Sequence, residues 1–76
     1  MLIYLYDIKT NLNEYNKIKR RFYYNLRKSN LKNCEYLTKS VLLVPEDLEH
    51  EADIFFNKFI RYLEVYKLKV SEILEF

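Results

Sequence analysis

The 76-residue chain contains no glycine and no tryptophan, and only one proline, one cysteine, one histidine and one methionine. Each shortage excludes something. Without glycine, a turn that needs positive φ must use Asn or Asp, or be avoided. Seven Asn are present, two of them, Asn30 and Asn33, where a turn is expected. The single Cys34 excludes an intramolecular disulfide and argues against a cysteine-based metal site. His50, alone between Glu49 and Glu51, has neither a Cys nor a second His to complete a zinc site. A Cys34–His50 nucleophile pair would need both singletons together, and structural roles are the simpler expectation for each. No apolar run is long enough to span a bilayer and no signal peptide precedes the first strand, so the expectation is a cytoplasmic protein that does not engage membranes.

What is present is aromatic and unevenly charged. Half the residues are hydrophobic, and eight Tyr and five Phe supply much of that half. Large rings bury much area each, so residues 1–76 are expected to form a single small domain. Its limited core favours a homodimer. The formal net charge is only +2. Residues 1–40 carry nine Lys/Arg against three acids, a net +6, whereas residues 41–76 carry four against eight, a net −4. Such asymmetry suggests one face for a polyanion and one kept free of it, although solvated helix faces would give the same count.

The chain opens with Met1-Leu2-Ile3-Tyr4-Leu5-Tyr6-Asp7-Ile8. Leu2–Ile8 reads as a buried strand that carries an acid at its end. Asn11-Leu12-Asn13-Glu14 has the form of a capping box. The helix expected after it runs to about Ser29 with an apolar stripe of Leu12, Tyr15, Ile18, Phe22 and Leu26. Its other face carries Lys17, Arg20, Tyr24, Arg27 and Lys28, with Arg21 at the edge. Cys34–Val44 is rich in β-formers, and because Thr38-Lys39 makes a poor tight turn, one long bulged strand is favoured over two. Pro45 ends it and suits the first turn of a second, acid-started helix with the stripe Leu48, Ala52, Phe55, Phe56, Phe59 and Leu63. From Glu64, Tyr66, Leu68 and Val70 alternate with Lys67 and Lys69, the pattern of a half-exposed strand. Residues 71–76 are apolar enough to form an extra edge strand at a dimer interface.

This order fits an α+β, ferredoxin-like two-layer sandwich (βαββαβ): two helices on one face of an antiparallel sheet, with a dimer through the other. Asp7 has two readings, a strand-end acid that caps the following turn, or a metal ligand beside a phosphate. A lone carboxylate seldom holds Mg²⁺, and no second acid is near Asp7 in the chain, but a two-fold axis would bring two copies together. Lys17, Arg20, Arg21, Arg27 and Lys28, interleaved with Tyr23 and Tyr24, could follow a phosphate backbone of DNA or RNA without reading bases.

A first strand ending Tyr6-Asp7-Ile8, a basic helix, a Ser40-Val41-Leu42 strand, an acid-started helix and a short last strand together resemble the CRISPR-associated Cas-two family. The resemblance spans the chain in element order. Ser40 matches the Ser of that family's Ser-Val-Phe strand, with Leu42 in place of Phe. The family often has Arg early in helix one, where this chain has Glu14 and Tyr15, and its frequent Gly after strand two is absent. The resemblance implies a small ferredoxin-like homodimer. In members described as nucleases, the Asp that maps onto Asp7 binds one divalent metal, Mg²⁺, with its dimer mate. Other members hold duplex DNA for an integrase-type partner during spacer acquisition and need no such Asp. Virulence-associated toxin ribonucleases share the scaffold. The competing expectation is a non-catalytic protein-interaction or toxin-type dimer.

Overall fold

The computed structural model describes all 76 residues. Four strands, β1 (Leu2–Ile8), β2 (Glu35–Thr38), β3 (Val41–Val44) and β4 (Leu63–Lys69), form one antiparallel sheet in the order β2-β3-β1-β4. Helix α1 (Tyr15–Lys28) lies between β1 and β2. A 3₁₀ turn (Glu46–Leu48) leads into α2 (Glu49–Lys58) between β3 and β4. The result is a small α+β fold compatible with a ferredoxin-like sandwich.

β1 explains the layering. Leu2, Tyr4, Tyr6 and Ile8 are buried, whereas Ile3 and Leu5 are half-buried and Asp7 is exposed. Alternation puts the first set on one face of the sheet and the second on the other. The buried set packs with Phe22 and Leu26 of α1 and with Ala52, Phe55 and Phe56 of α2. At the centre, the Phe22 ring lies 5.3 Å from Tyr6, 5.4 Å from Phe55 and 5.3 Å from Phe59 between centroids, all tilted or edge-on. Tyr4 stacks on Phe56 at 4.9 Å. These offset and edge-on contacts add to the area that the rings bury.

The missing glycine bears on three connections: the approach to α1, its end, and the β2–β3 turn. The sole positive φ falls on neither Asn nor Asp but on Glu14 (φ 59°), the residue before α1. The expected capping box does not form: α1 begins at Tyr15 rather than Leu12, and Glu14 makes no side-chain cap. Its carboxylate instead lies 3.9 Å from Lys17. α1 ends without a left-handed residue, because Ser29 is extended and its hydroxyl donates to the Leu26 carbonyl at 2.7 Å and accepts from the Leu31 N–H at 3.0 Å.

Cys34–Val44 is not one long strand. It is a hairpin turned by Lys39 and Ser40, with Thr38 opposite Val41 and Tyr36 opposite Leu42. The step between those pairs leaves Leu37 as an extra residue, a bulge. Two-residue hairpins normally use turns with positive φ, since the others splay the strands. With φ negative at both turn residues, the bulge supplies the local twist that lets the strands stay paired.

β4 alternates as its sequence suggests, and the pairing decides which side faces the helices. Lys67 pairs with Tyr4 and Lys69 with Leu2, which puts both lysines on the helix side. There Lys67 Nζ lies 2.6 Å from Glu49 and 2.8 Å from Asp53, and Lys69 lies 3.7 Å from Glu49. Tyr4 completes the cluster by donating to Asp53 Oδ1 at 2.7 Å. The apolar partners Tyr66 and Leu68 face away from the helices, 67% and 46% exposed. Leu63 begins β4 instead of ending the second helix, and residues 71–76 lie outside any strand of the protomer.

Two stability measurements check this core. Phe22→Ala is expected to cost about 3–5 kcal/mol in urea denaturation, a large share of the roughly 4–11 kcal/mol total for a domain this size, so the urea midpoint should fall steeply. Burial alone would raise the Asp53 carboxyl, but hydrogen bonds from Lys67 and Tyr4 hold it below its ordinary value. The pair's contribution is therefore present above the ordinary carboxylate range of about 4 and is lost as pH falls through the depressed value. Asp53→Asn should be destabilised by roughly 0.5–1 kcal/mol at pH 7, allowing for solvent screening. Its deficit relative to wild type should close as the pH is taken below that range.

Candidate nucleic-acid interface and acidic pair

Asp7 sits at the end of β1 on the face that the helices leave uncovered. Its cross-strand partner is Glu64, the second residue of β4. The ladder continues in step through the Lys9 N–H to the Tyr62 carbonyl and the Val70 N–H to the Met1 carbonyl. Asp7 and Glu64 are therefore a hydrogen-bonded pair, with Cα atoms about 5.5 Å apart and side chains on one face. Neither carboxylate has an ion-pair partner. Glu64 is the residue that sequence reasoning missed, being 57 positions away in the chain. Its signal was the antiparallel pairing of β1 with the last strand, which sets the acid near the end of β1 opposite the acid near the start of β4.

The basic residues lie where the helical pattern puts them. Lys17, Arg20, Arg21, Arg27 and Lys28 are all exposed on α1. Arg20, Arg21 and Arg27 line one surface groove with Lys19, Tyr23 and Tyr24. Arg21 lies over the Phe59 and Tyr62 rings at 5.9 and 5.7 Å, and Lys28 over Tyr24 at 4.8 Å. Apart from Lys17, none of these cations has a carboxylate within salt-bridge distance. Acids of α2 and of the turn before it behave differently: Glu49 is held by Lys67 and Lys69, Asp53 by Lys67, and Glu46 of the 3₁₀ turn by the N-terminal amine at 2.9 Å. The charge asymmetry of the sequence thus becomes one helix whose acids are largely answered and one whose cations are left open.

Asp7 shares a cleft with two cations of α1, Lys19 and Arg27, and with Lys39 of the hairpin turn. Lys17, Arg20, Arg21 and Lys28 are not among the residues that line it. His50 is exposed, and Cys34 is half-buried with its thiol pushed up by burial and by the charge of Asp47, the reverse of what a nucleophile requires. No three His, Cys, Asp or Glu side chains come together in one chain as a metal-holding group. No helix is long and apolar enough to cross a membrane. No family model matches the chain, and comparison with curated proteins and with solved structures found no match.

Like charges directly opposite one another weaken a sheet. Asp7→Asn should therefore raise stability at neutral pH and low salt by roughly 0.2–1 kcal/mol. The gain should disappear in a Glu64→Gln background, and a double-mutant cycle by denaturant unfolding reads it directly. An unchanged or destabilised Asp7→Asn would mean that the two carboxylates do not repel one another across the ladder.

Proposed function

We propose that this chain is a nucleic-acid-binding homodimer of the Cas-two type, with the finer βαββαβ ferredoxin-like topology that its element and strand order support. The observation that carries the reading is the unanswered basic face of α1. Arg20, Arg21, Arg27 and Lys28 stand exposed with tyrosines between them and no acid to neutralise them. Such a surface grips phosphates independently of sequence.

Dimerisation is supported by the open face of the sheet. Ile3 and Leu5 of β1, Val41 and Leu43 of β3, and Tyr66 and Leu68 of β4 share it. On β4 Tyr66 and Leu68 take this side and Lys67 and Lys69 take the other, an arrangement that leaves apolar side chains on the outer face to be covered. A second copy supplies a matching surface about a two-fold axis. Residues 71–76 are free to add to the partner's sheet edge.

Asp7 and Glu64 are hard oxygen donors of the kind that suits Mg²⁺, and two copies would supply four such groups where one chain supplies two. Mg²⁺ held there would activate a water and stabilise charge on a phosphodiester. The chain's own part is to present the acids on the rigid end of β1 and to hold the substrate backbone on α1. Without turnover, the same dimer is a structural subunit that holds DNA, and an integrase-type protein is the corresponding partner. That partner would use acids other than Glu49 and Asp53, which β4 already engages.

Sedimentation is expected to show a dimer, and Leu5→Lys is expected to make it a monomer. Replacing Lys17, Arg20 and Lys28 with Gln should weaken duplex binding and lower the slope of log affinity against log salt by about 3. Cleavage of RNA and duplex DNA with Mg²⁺ should be lost in Asp7→Asn, and equal cleavage by both proteins removes Asp7 from the mechanism. Salt-dependent binding with no cleavage by wild type identifies the structural role. No affinity for DNA or RNA at low salt would favour a protein-only dimer.

A further inference from the structure

The cleft between α1 and the β2–β3 hairpin has a volume of about 650 Å³, within the range of small-ligand sites. Three phenol rings, Tyr15, Tyr23 and Tyr36, and three cations, Lys19, Arg27 and Lys39, line it. None of the three cations has a carboxylate within salt-bridge distance, and Asp7 at one end is the single acid in the lining.

The fold explains why the cleft exists. β2 is an edge strand exposed along its whole length. Tyr36 pairs with Leu42, on the helix side of the sheet, yet remains 44% exposed. The hydroxyls of Tyr6 and Tyr23 both donate to the Lys39 carbonyl, at 3.3 and 3.4 Å, which ties the hairpin turn to β1 and α1. The walls are thus carried on a helix and a sheet that share the core.

Tyr36 is the exposed ring, while Tyr15 and Tyr23 are half-buried against the core and present only part of their surface to the cleft. An open ring beside unpaired cations suits a base on one side and a phosphate on the other. A base stacked inside a duplex cannot reach such a cleft, because its faces are already covered. We propose that this cleft receives one unpaired nucleotide, its base against the tyrosines and its phosphate on Lys19, Arg27 and Lys39. The inference rests on the nucleic-acid reading above and adds to it a preference for strand ends or unpaired junctions over continuous duplex. A free mononucleotide carries the same chemistry.

The test measures binding by fluorescence anisotropy with three probes: a blunt duplex, the same duplex with short 5′ or 3′ overhangs, and a labelled mononucleotide. Wild type is expected to bind one overhang duplex about tenfold more tightly than the blunt one. Tyr36→Ala should abolish that preference and leave blunt-duplex affinity unchanged. Lys39→Gln should reduce the preference several-fold, and this exposed turn position keeps the test valid if Tyr36→Ala fails to fold. Mononucleotide binding that Tyr36→Ala removes, without an overhang preference, supports the cleft as a nucleotide site and assigns it to free nucleotides. Equal affinity for blunt and overhang duplexes with no mononucleotide binding overturns the cleft and leaves duplex binding standing. Failure of every probe to bind at low salt overturns both readings.

Discussion

The ring of Phe22 is the point at which the layers of this small domain meet. It comes from α1, it is fully buried, and its neighbours are Tyr6 of β1, Phe55 and Phe56 of α2 and Phe59 just beyond. A chain of this length has little interior to share among its elements. Aromatic residues answer that constraint, because each buries a large area and reaches across layers that shorter groups could not span. The position of α1 over the sheet, and therefore the direction in which its basic face looks, follows from where that one ring is seated.

Much of this was legible in the sequence because it depended on local pattern. The apolar run of Leu2–Ile8 gave the first strand its bounds, and the four-residue spacing of Ile18, Phe22 and Leu26 gave α1 its apolar stripe, of which Phe22 and Leu26 are buried. What could not be read depended on turn geometry or on distant pairing. The Lys39-Ser40 turn lacks the residues that mark a hairpin, and it works only because Leu37 bulges. Glu14 adopts a conformation that sequence rules reserve for Gly, Asn and Asp. The facing of β4 could not be inferred from its alternation, since a period of two says which residues share a side but not which side meets the helices.

The candidate site divides in the same way. The basic face of α1 is a one-helix property, and its members were recoverable from spacing alone. The Asp7–Glu64 pair is a property of two strands at opposite ends of the chain, visible only once β4 is placed beside β1. Lys19, Arg27 and Lys39 come together through the angle between a helix and a hairpin, for which no sequence signal exists. The readings of function that lean on Asp7 and on the cleft thus depend on tertiary structure, whereas the reading of a phosphate-binding surface does not.

The alternating chemistry of β4 bears on how the chain finds its fold. Edge strands are where sheets slip, because only one neighbour fixes their alignment. Here a shift of one residue would carry Lys67 and Lys69 away from Glu49 and Asp53 and press Tyr66 and Leu68 against those acids. The misaligned strand would lose its ionic contacts and its hydrophobic outer surface in a single step. The ion pairs to α2 and the apolar outer row thus select the same register of β4, so the alignment of this edge strand is fixed from both of its faces at once.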